Sequence, residues 1–150
     1  MNPKRIRGVA LCLFRHGDRI LVDEAEDTVR RDRYCRPIGG GIEYGERSEA
    51  AIVREVREEL RAEIEHLELA AVIENLFTCE GEEGHEIVFI YDAEFIDKSL
   101  YSRDILHGYE HGNDSHFPVQ WRSLAEMEAA GLRLVPEQLK ELLQRPILDP

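Results

Sequence analysis

The chain has 150 residues, 43% of them hydrophobic and 33% charged, and a formal net charge of −12. That length can bury a sizeable core as one domain, and the mixed composition is that of a soluble globular protein. The acidic balance excludes a general nucleic-acid binder, whose phosphate contacts need Lys and Arg. No apolar run approaches the 18 residues or so of a membrane span.

The first apolar run, Ile6–Phe14, is rich in Val, Leu and Phe and predicts a buried strand. Charged residues follow it without a small-residue cleavage site, so it is not read as a leader. His16-Gly17-Asp18 predicts a turn and Arg19–Val22 the return strand of a hairpin. Glu24–Arg36 reads as an irregular segment and holds Arg30, Arg31, Arg33 and Arg36 within seven residues. It is either a solvated loop or a phosphate clamp, because guanidinium forks match phosphate oxygens in pairs.

Pro37 and Ile38 lead into Gly39, Gly40 and Gly41, a bend that lets backbone come close to a ligand. A helix follows, with Ser48 as its N-cap and Glu49 in its first turn. On it, Glu55, Glu58 and Glu59 fall within an arc of about 100°, while Val53, Val56 and Leu60 lie on another arc and form the buried stripe. Three acids on one face repel one another, and an all-oxygen set suits Mg²⁺, Mn²⁺ or Ca²⁺ rather than zinc. The plain alternative is a solvated acidic helix face.

Leu67–Cys79 and His85–Phe95 predict two strands joined by an acidic turn over Glu80–Gly84. His85 begins the second of these, either as a structural group or as a substrate contact. Ile96–Pro118 reads as a long polar loop holding Asp104, His107, Glu110, His111, Asp114 and His116. A loop of that length is functional or disordered, and without HExxH or paired cysteines it is not read as a zinc site. Val119–Leu124 predicts a last strand entering a helix over about Leu124–Ala130, capped by Ser123 and ended by Gly131. Pro136 opens another helix through Gln144, with Leu139, Leu142 and Leu143 buried.

Strands and helices interleave without a regular βαβ repeat, so the expected class is α/β. The architecture is a mixed sheet between helices, in a single domain over 1–150. Cys12, Cys35 and Cys79 are odd in number and lack CxxC spacing, which predicts reduced thiols and a cytoplasmic protein.

Gly40, then Glu46 six residues on, then Arg54-Glu55-Val56 and Glu58-Glu59, resembles the signature box of the Nudix hydrolases, GX5EX7REUXEEXGU with U apolar. The seven spaced residues from Gly40 to Glu59 all match. The tail departs, with Arg61 in place of glycine and Ala62 at the last apolar position. The resemblance implies the Nudix α/β/α sandwich and a metal-dependent hydrolase, using Mg²⁺ or Mn²⁺. Its reaction would cleave a diphosphate linkage in a nucleoside diphosphate joined to another moiety, by attack of a metal-positioned water.

It also implies that the Gly39 carbonyl, Glu55, Glu58 and Glu59 hold the metal, with Glu46 and Arg54 paired behind them. Glu58, Glu110 and Asp114 are the candidate general bases, and Arg33, Tyr34, Arg36 and His85 the candidate substrate contacts. The expected partner is a small nucleotide or another diphosphate, neither nucleic acid nor membrane, and the expected state is monomer or homodimer. Arginine disfavours the left-handed backbone with which a glycine ends a helix, so the helix is expected to run past Arg61 or to end differently. Two alternatives share the fold: a nucleotide-sensing domain without turnover, and a diphosphate isomerase. The intact box favours hydrolysis, and no mark downstream of it fixes the base or the leaving group.

Overall fold

The computed structural model describes residues 4–110 and 116–145. In chain order the elements are β1 (Ile6–Leu13), β2 (Arg15–His16), β3 (Arg19–Asp27), β4 (Asp32–Gly41), α1 (Ser48–Leu60), β5 (Ile64–Cys79) and β6 (Glu82–Phe95). A 3₁₀ turn (Lys98–Ser102), β7 (Ile105–Tyr109), β8 (His116–Ser123), α2 (Leu124–Ala129), β9 (Leu132–Leu134) and α3 (Gln138–Gln144) complete the order. The strands form one mixed sheet in the order β5-β6-β1-β4-β3-β8-β7, with β2 added to β3 and β9 added to β4. It is the α/β architecture expected.

From Val9 to Leu13 β1 is apolar without a break because both of its faces are covered there. Ala10 and Cys12 pack with Ile52, Val56 and Leu60 of α1. Val9, Leu11 and Leu13 face the other way and pack with Met127, Leu132 and Leu139. Strands buried on both faces lose the alternation that marks half-exposed ones. β1 runs parallel to β6 and antiparallel to β4, so the expected hairpin with Arg19–Val22 is only its tip: Arg15 and His16 of β2 pair with β3.

Glu24–Arg36 is not a loop. β3 and β4 run antiparallel across it, with Asp23 opposite Arg36 and Asp27 opposite Asp32. Charge hides the strand pattern here, and ion pairs compensate for it. Glu24 accepts from Arg33 at 3.1 Å and from Arg122 at 3.2 Å, and Arg133 reaches Asp32 at 3.0 Å.

At the tip between β3 and β4, buried Asp27 accepts from the backbone of Val29 (3.2 Å) and Arg30 (2.9 Å), and also from Glu80 N at 3.3 Å. Glu80 returns the bond by accepting from Thr28 N at 2.8 Å. Two hairpin tips distant in sequence are thereby clasped. The turn between β5 and β6 is shorter than expected. Glu80 (φ 52°) and Gly81 (φ 76°) alone make it, in the left-handed pair that suits a two-residue hairpin. β6 correspondingly begins at Glu82 rather than His85, while β5 gains its extra residues at its start, at Ile64 rather than Leu67.

The segment Ile96–Pro118 carries the 3₁₀ turn, β7 and the start of β8 rather than one loop. His111 and Asp114 lie outside the described residues. Ser123 caps α2 as expected, accepting from Glu126 N at 3.0 Å while Glu126 accepts from Ser123 N at 3.2 Å. Ser48 does not cap α1. Arg47 occupies the cap position without a side-chain bond, and the Ser48 hydroxyl instead meets the Tyr91 hydroxyl at 2.6 Å.

The end of α1 corrects a second expectation. The helix stops at Leu60, and Arg61 takes the left-handed conformation (φ 51°, ψ 40°) with its N–H donating to Arg57 O at 2.9 Å. The chain must reverse there, because Ala62 is buried beneath the helix and β5 begins at Ile64. The buried stripe of α1 is Ala51, Ile52, Val56 and Leu60, with Val53 only half-buried and Glu55 itself 4% exposed.

Candidate active site

The site is built where β4 hands the chain to α1. Arg54 donates two hydrogen bonds to Glu46, at 2.8 and 2.9 Å, and a third to the Gly41 carbonyl at 3.0 Å. Its remaining terminal nitrogen lies 2.9 Å from Glu55 and 3.2 Å from Glu58. Glu46 also accepts from Glu43 N at 3.1 Å, so the loop between β4 and α1 is bound to the helix through one guanidinium. Arg54 first, and the Glu43 amide second, hold the Glu46 carboxyl down at about 2. The pairing of Glu46 with Arg54 is the one expected.

Behind that brace the carboxylates crowd. Glu55 is buried against the backbone of Gly40, where a methyl group would meet its carboxylate. Glu59 hydrogen-bonds to Glu55, and its carboxyl is pushed up to about 8, by burial first and by the Glu55 charge second. Asp23 of β3 contributes a further acid. Burial raises its carboxyl, and the opposing Arg36 offsets part of that. Glu58 is more open, with 36% of its side chain exposed.

Such an assembly fits a divalent cation. It offers hard carboxylate oxygens, a backbone glycine face kept clear for them, and like charges that a cation would relieve. A different group, Glu65, His66 and Glu94, brings ligand atoms within 4.8 Å of one another, but Lys98 already lies 3.0 Å from Glu65 there.

Next to the carboxylates, β4 changes partner. Its residues Arg33–Cys35 pair with β9 and its residues Ile38–Gly41 with β1, leaving Arg36 and Pro37 between the two. The gap is a cleft of about 230 Å³ lined by Tyr34, Arg36, Asn75, Phe77, Glu86 and Arg133, among others. Arg36 belongs to both places, because it lines the cleft and its charge acts on Asp23 and on Glu59. Tyr34 stands in the cleft wall with Cys79 Sγ 3.8 Å from its hydroxyl, and burial raises its phenol.

The other expected contacts lie apart. Arg33 is bound to Glu24 on the neighbouring strand. His85 lines a shallow groove with Lys4, Arg5 and Ile6, and its Nε2 is 3.4 Å from Glu74. Glu110 is exposed just after β7. Asp23, Asn75, Glu86 and Arg133 were not anticipated. An acid ending an apolar run is visible at Asp23, but its place opposite Arg36 depends on strand register.

The chain belongs to the NUDIX family: a sequence model described as the NUDIX domain matches residues 4–144. By family it is a Nudix hydrolase, and the box carboxylates of that family are intact. No curated protein matches it in sequence. Among solved structures, a MutT NUDIX hydrolase from Burkholderia pseudomallei is 20% identical, with a TM-score of 0.66 over 95% of this chain and 100% of that one. A NUDIX hydrolase from Nitrosomonas europaea is 17% identical, with a TM-score of 0.63 over 93% and 87%. A UDP-X diphosphatase is 15% identical, with a TM-score of 0.57 over 95% of this chain and 63% of that one. At these identities the likeness is one of fold.

Proposed function

We propose that this chain is a single catalytic domain that hydrolyses the diphosphate linkage of a nucleoside diphosphate joined to a second moiety, with Mg²⁺ or Mn²⁺ as cofactor. The observation that carries the reading is the meeting of two features at Arg36: the carboxylate cluster of Glu55, Glu59 and Asp23, and the cleft beyond it. Cluster and cleft divide a two-part substrate between them, diphosphate on one side and base or leaving group on the other.

Glu55, Glu58, Glu59 and the Gly39 carbonyl would hold the ion. When bound, it supplies neutralisation of the phosphate charge and a lowered pKa for water. Arg54 and Glu46 keep the carboxylates in place, and a misplacement there costs rate without touching the substrate. Arg36 presents a fork to the phosphate oxygens, and Tyr34 and Phe77 offer ring faces to a planar group. Glu58, exposed enough to meet a water, is the first candidate base, with Glu110 and Asp114 behind it. The water oxygen bonds to phosphorus, the bridging P–O bond breaks, and the base takes one proton. The products are two phosphate monoesters.

Three reduced thiols agree with a cytoplasmic setting, and among the described residues no helix is long and apolar enough to cross a membrane. The deciding experiment is a screen for nucleoside-monophosphate release, read by chromatography, over nucleotide sugars, dinucleoside polyphosphates, NTPs and dinucleotides, with and without Mg²⁺. Mg²⁺-dependent release from one class is the expected result. Binding without release from any class would instead support the sensing alternative.

A further inference from the structure

The residue that breaks the box, Arg61, is held in a conformation that arginine disfavours, and it points its side chain at a ring. Its guanidinium carbon lies 3.6 Å from the centroid of Tyr109. Tyr109 ends β7, the outermost strand on its side of the sheet, and pairs across the hairpin with His116. α1 packs against β7 along this line. His107 and His116 continue the row, with ring centroids 4.9 Å apart, and His116 lies 6.4 Å from Tyr109.

We propose that Arg61 is a positioning residue that locks the β7–β8 hairpin to the C-terminal end of the box helix by stacking on Tyr109. A glycine would end the helix with less strain but would leave the edge strand without this anchor. The stacked guanidinium, lying also at the negative end of the helix dipole, offsets the strain of the left-handed backbone. Glu58 and Glu59 stand two and three residues before Arg61, and Glu110 follows Tyr109 directly. One contact therefore joins the frame of the box acids to that of a candidate base on the hairpin. The stacking itself stands on geometry. Only its effect on turnover rests on the hydrolase reading.

The test compares Arg61→Gly, Arg61→Lys, Tyr109→Leu and Tyr109→Phe by amide hydrogen exchange and by kinetics. Exchange at Leu106–Tyr109 is expected to speed up about tenfold in Arg61→Gly and Tyr109→Leu, on the scale of one lost cation–π contact. Tyr109→Phe keeps the ring face and is expected to retain the protection, and Arg61→Lys to retain part of it. The double variant Arg61→Gly/Tyr109→Leu should be no worse than either single one. With a substrate in hand, Arg61→Gly is expected to lower kcat several-fold with KM nearly unchanged while the protein melts no earlier, a split that simple destabilisation does not produce. Unchanged exchange in Arg61→Gly, or additive losses in the double variant, overturns the proposal. A parent without diphosphatase activity overturns the function reading alone, because exchange still decides on the lock.

Discussion

Gly40 and Glu55 are fitted to each other: a Cβ at Gly40 would lie 2.7 Å from the Glu55 carboxyl carbon and one of its oxygens. The glycine of the box is thus a space left for the carboxylate. Gly40→Ala is expected to push Glu55 aside at a stability cost of about 1–3 kcal/mol and to lower divalent-ion affinity and turnover much more. Gly39→Ala fails differently, since its Cβ would lie 2.0 Å from the Ala10 carbonyl oxygen at a φ of 153°, and the sheet itself must move. Thermal melts with ion titrations separate the two outcomes. Equal losses of both properties in both variants would contradict this account.

Glu59 makes the metal-free protein sensitive to pH. Its carboxyl is raised to about 8 by burial and by Glu55, so the folded state binds a proton that the unfolded state releases near the ordinary value of 4.5. The stability from this group is full below that ordinary value and is lost as pH rises through about 8. Glu59→Gln keeps the neutral form at every pH. The melting temperature of the variant minus that of the parent, in chelator, should therefore grow between about pH 4.5 and about pH 8. A flat difference would show that Glu59 is not protonated in the empty site.

Ion binding and turnover should respond to the same substitution. Glu59→Gln replaces a carboxylate with a weaker neutral ligand, and hydrolysis is expected to fall by about 10²-fold or more under saturating Mg²⁺. Glu46→Gln should do less to turnover and more to stability. Arg54 and the Glu43 amide hold Glu46 at about 2, a contribution present above the ordinary 4.5 and lost as pH falls toward 2. The melting gap between parent and Glu46→Gln should accordingly narrow in acid. Parent-like turnover in Glu59→Gln would remove the box carboxylates from the mechanism.

The arginines divide by position. Arg30 and Arg36 both line the cleft, but Arg36 also acts on Asp23 and Glu59, whereas Arg30 sits at the hairpin tip with its guanidinium 2.9 Å from Asp32. Arg36→Ala is expected to raise KM about tenfold, the loss of one charged contact to phosphate, and Arg30→Ala to leave it within about twofold. Steady-state kinetics on the substrate found by the screen give the comparison. Matching effects from the two would return both to a solvated surface.

What could be read from the sequence was local. Glu46, Arg54 and the three acids of α1 stand at spacings that one helix and one loop convert directly into neighbours. The contact of Asp23 with Arg36 needs the register of β3 on β4, and the cleft needs β4 to exchange β1 for β9, which no local pattern encodes. Glu24–Arg36 hid its strands because Glu24, Glu26, Asp27, Asp32 and Arg33 stand where alternating apolar residues would have marked them. β7 was missed for a related reason, since only Leu106 and Gly108 of its five residues are buried. At Arg61 the intrinsic preference was known, and burial of Ala62 with the Tyr109 contact overrode it.

The clasp between Asp27 and Glu80 bears on how the chain meets a protease. Exposed hairpin tips are the usual sites of nicking, and Arg30-Arg31 is a dibasic pair at such a tip. Cleavage needs the backbone drawn out into an extended form in the protease groove. Here Asp27 holds the amides of Val29 and Arg30, and Glu80 holds that of Thr28. Trypsin should therefore leave this tip intact in the folded protein, although the arginine side chains are exposed, and Asp27→Asn or Glu80→Gln should make it the first bond cut.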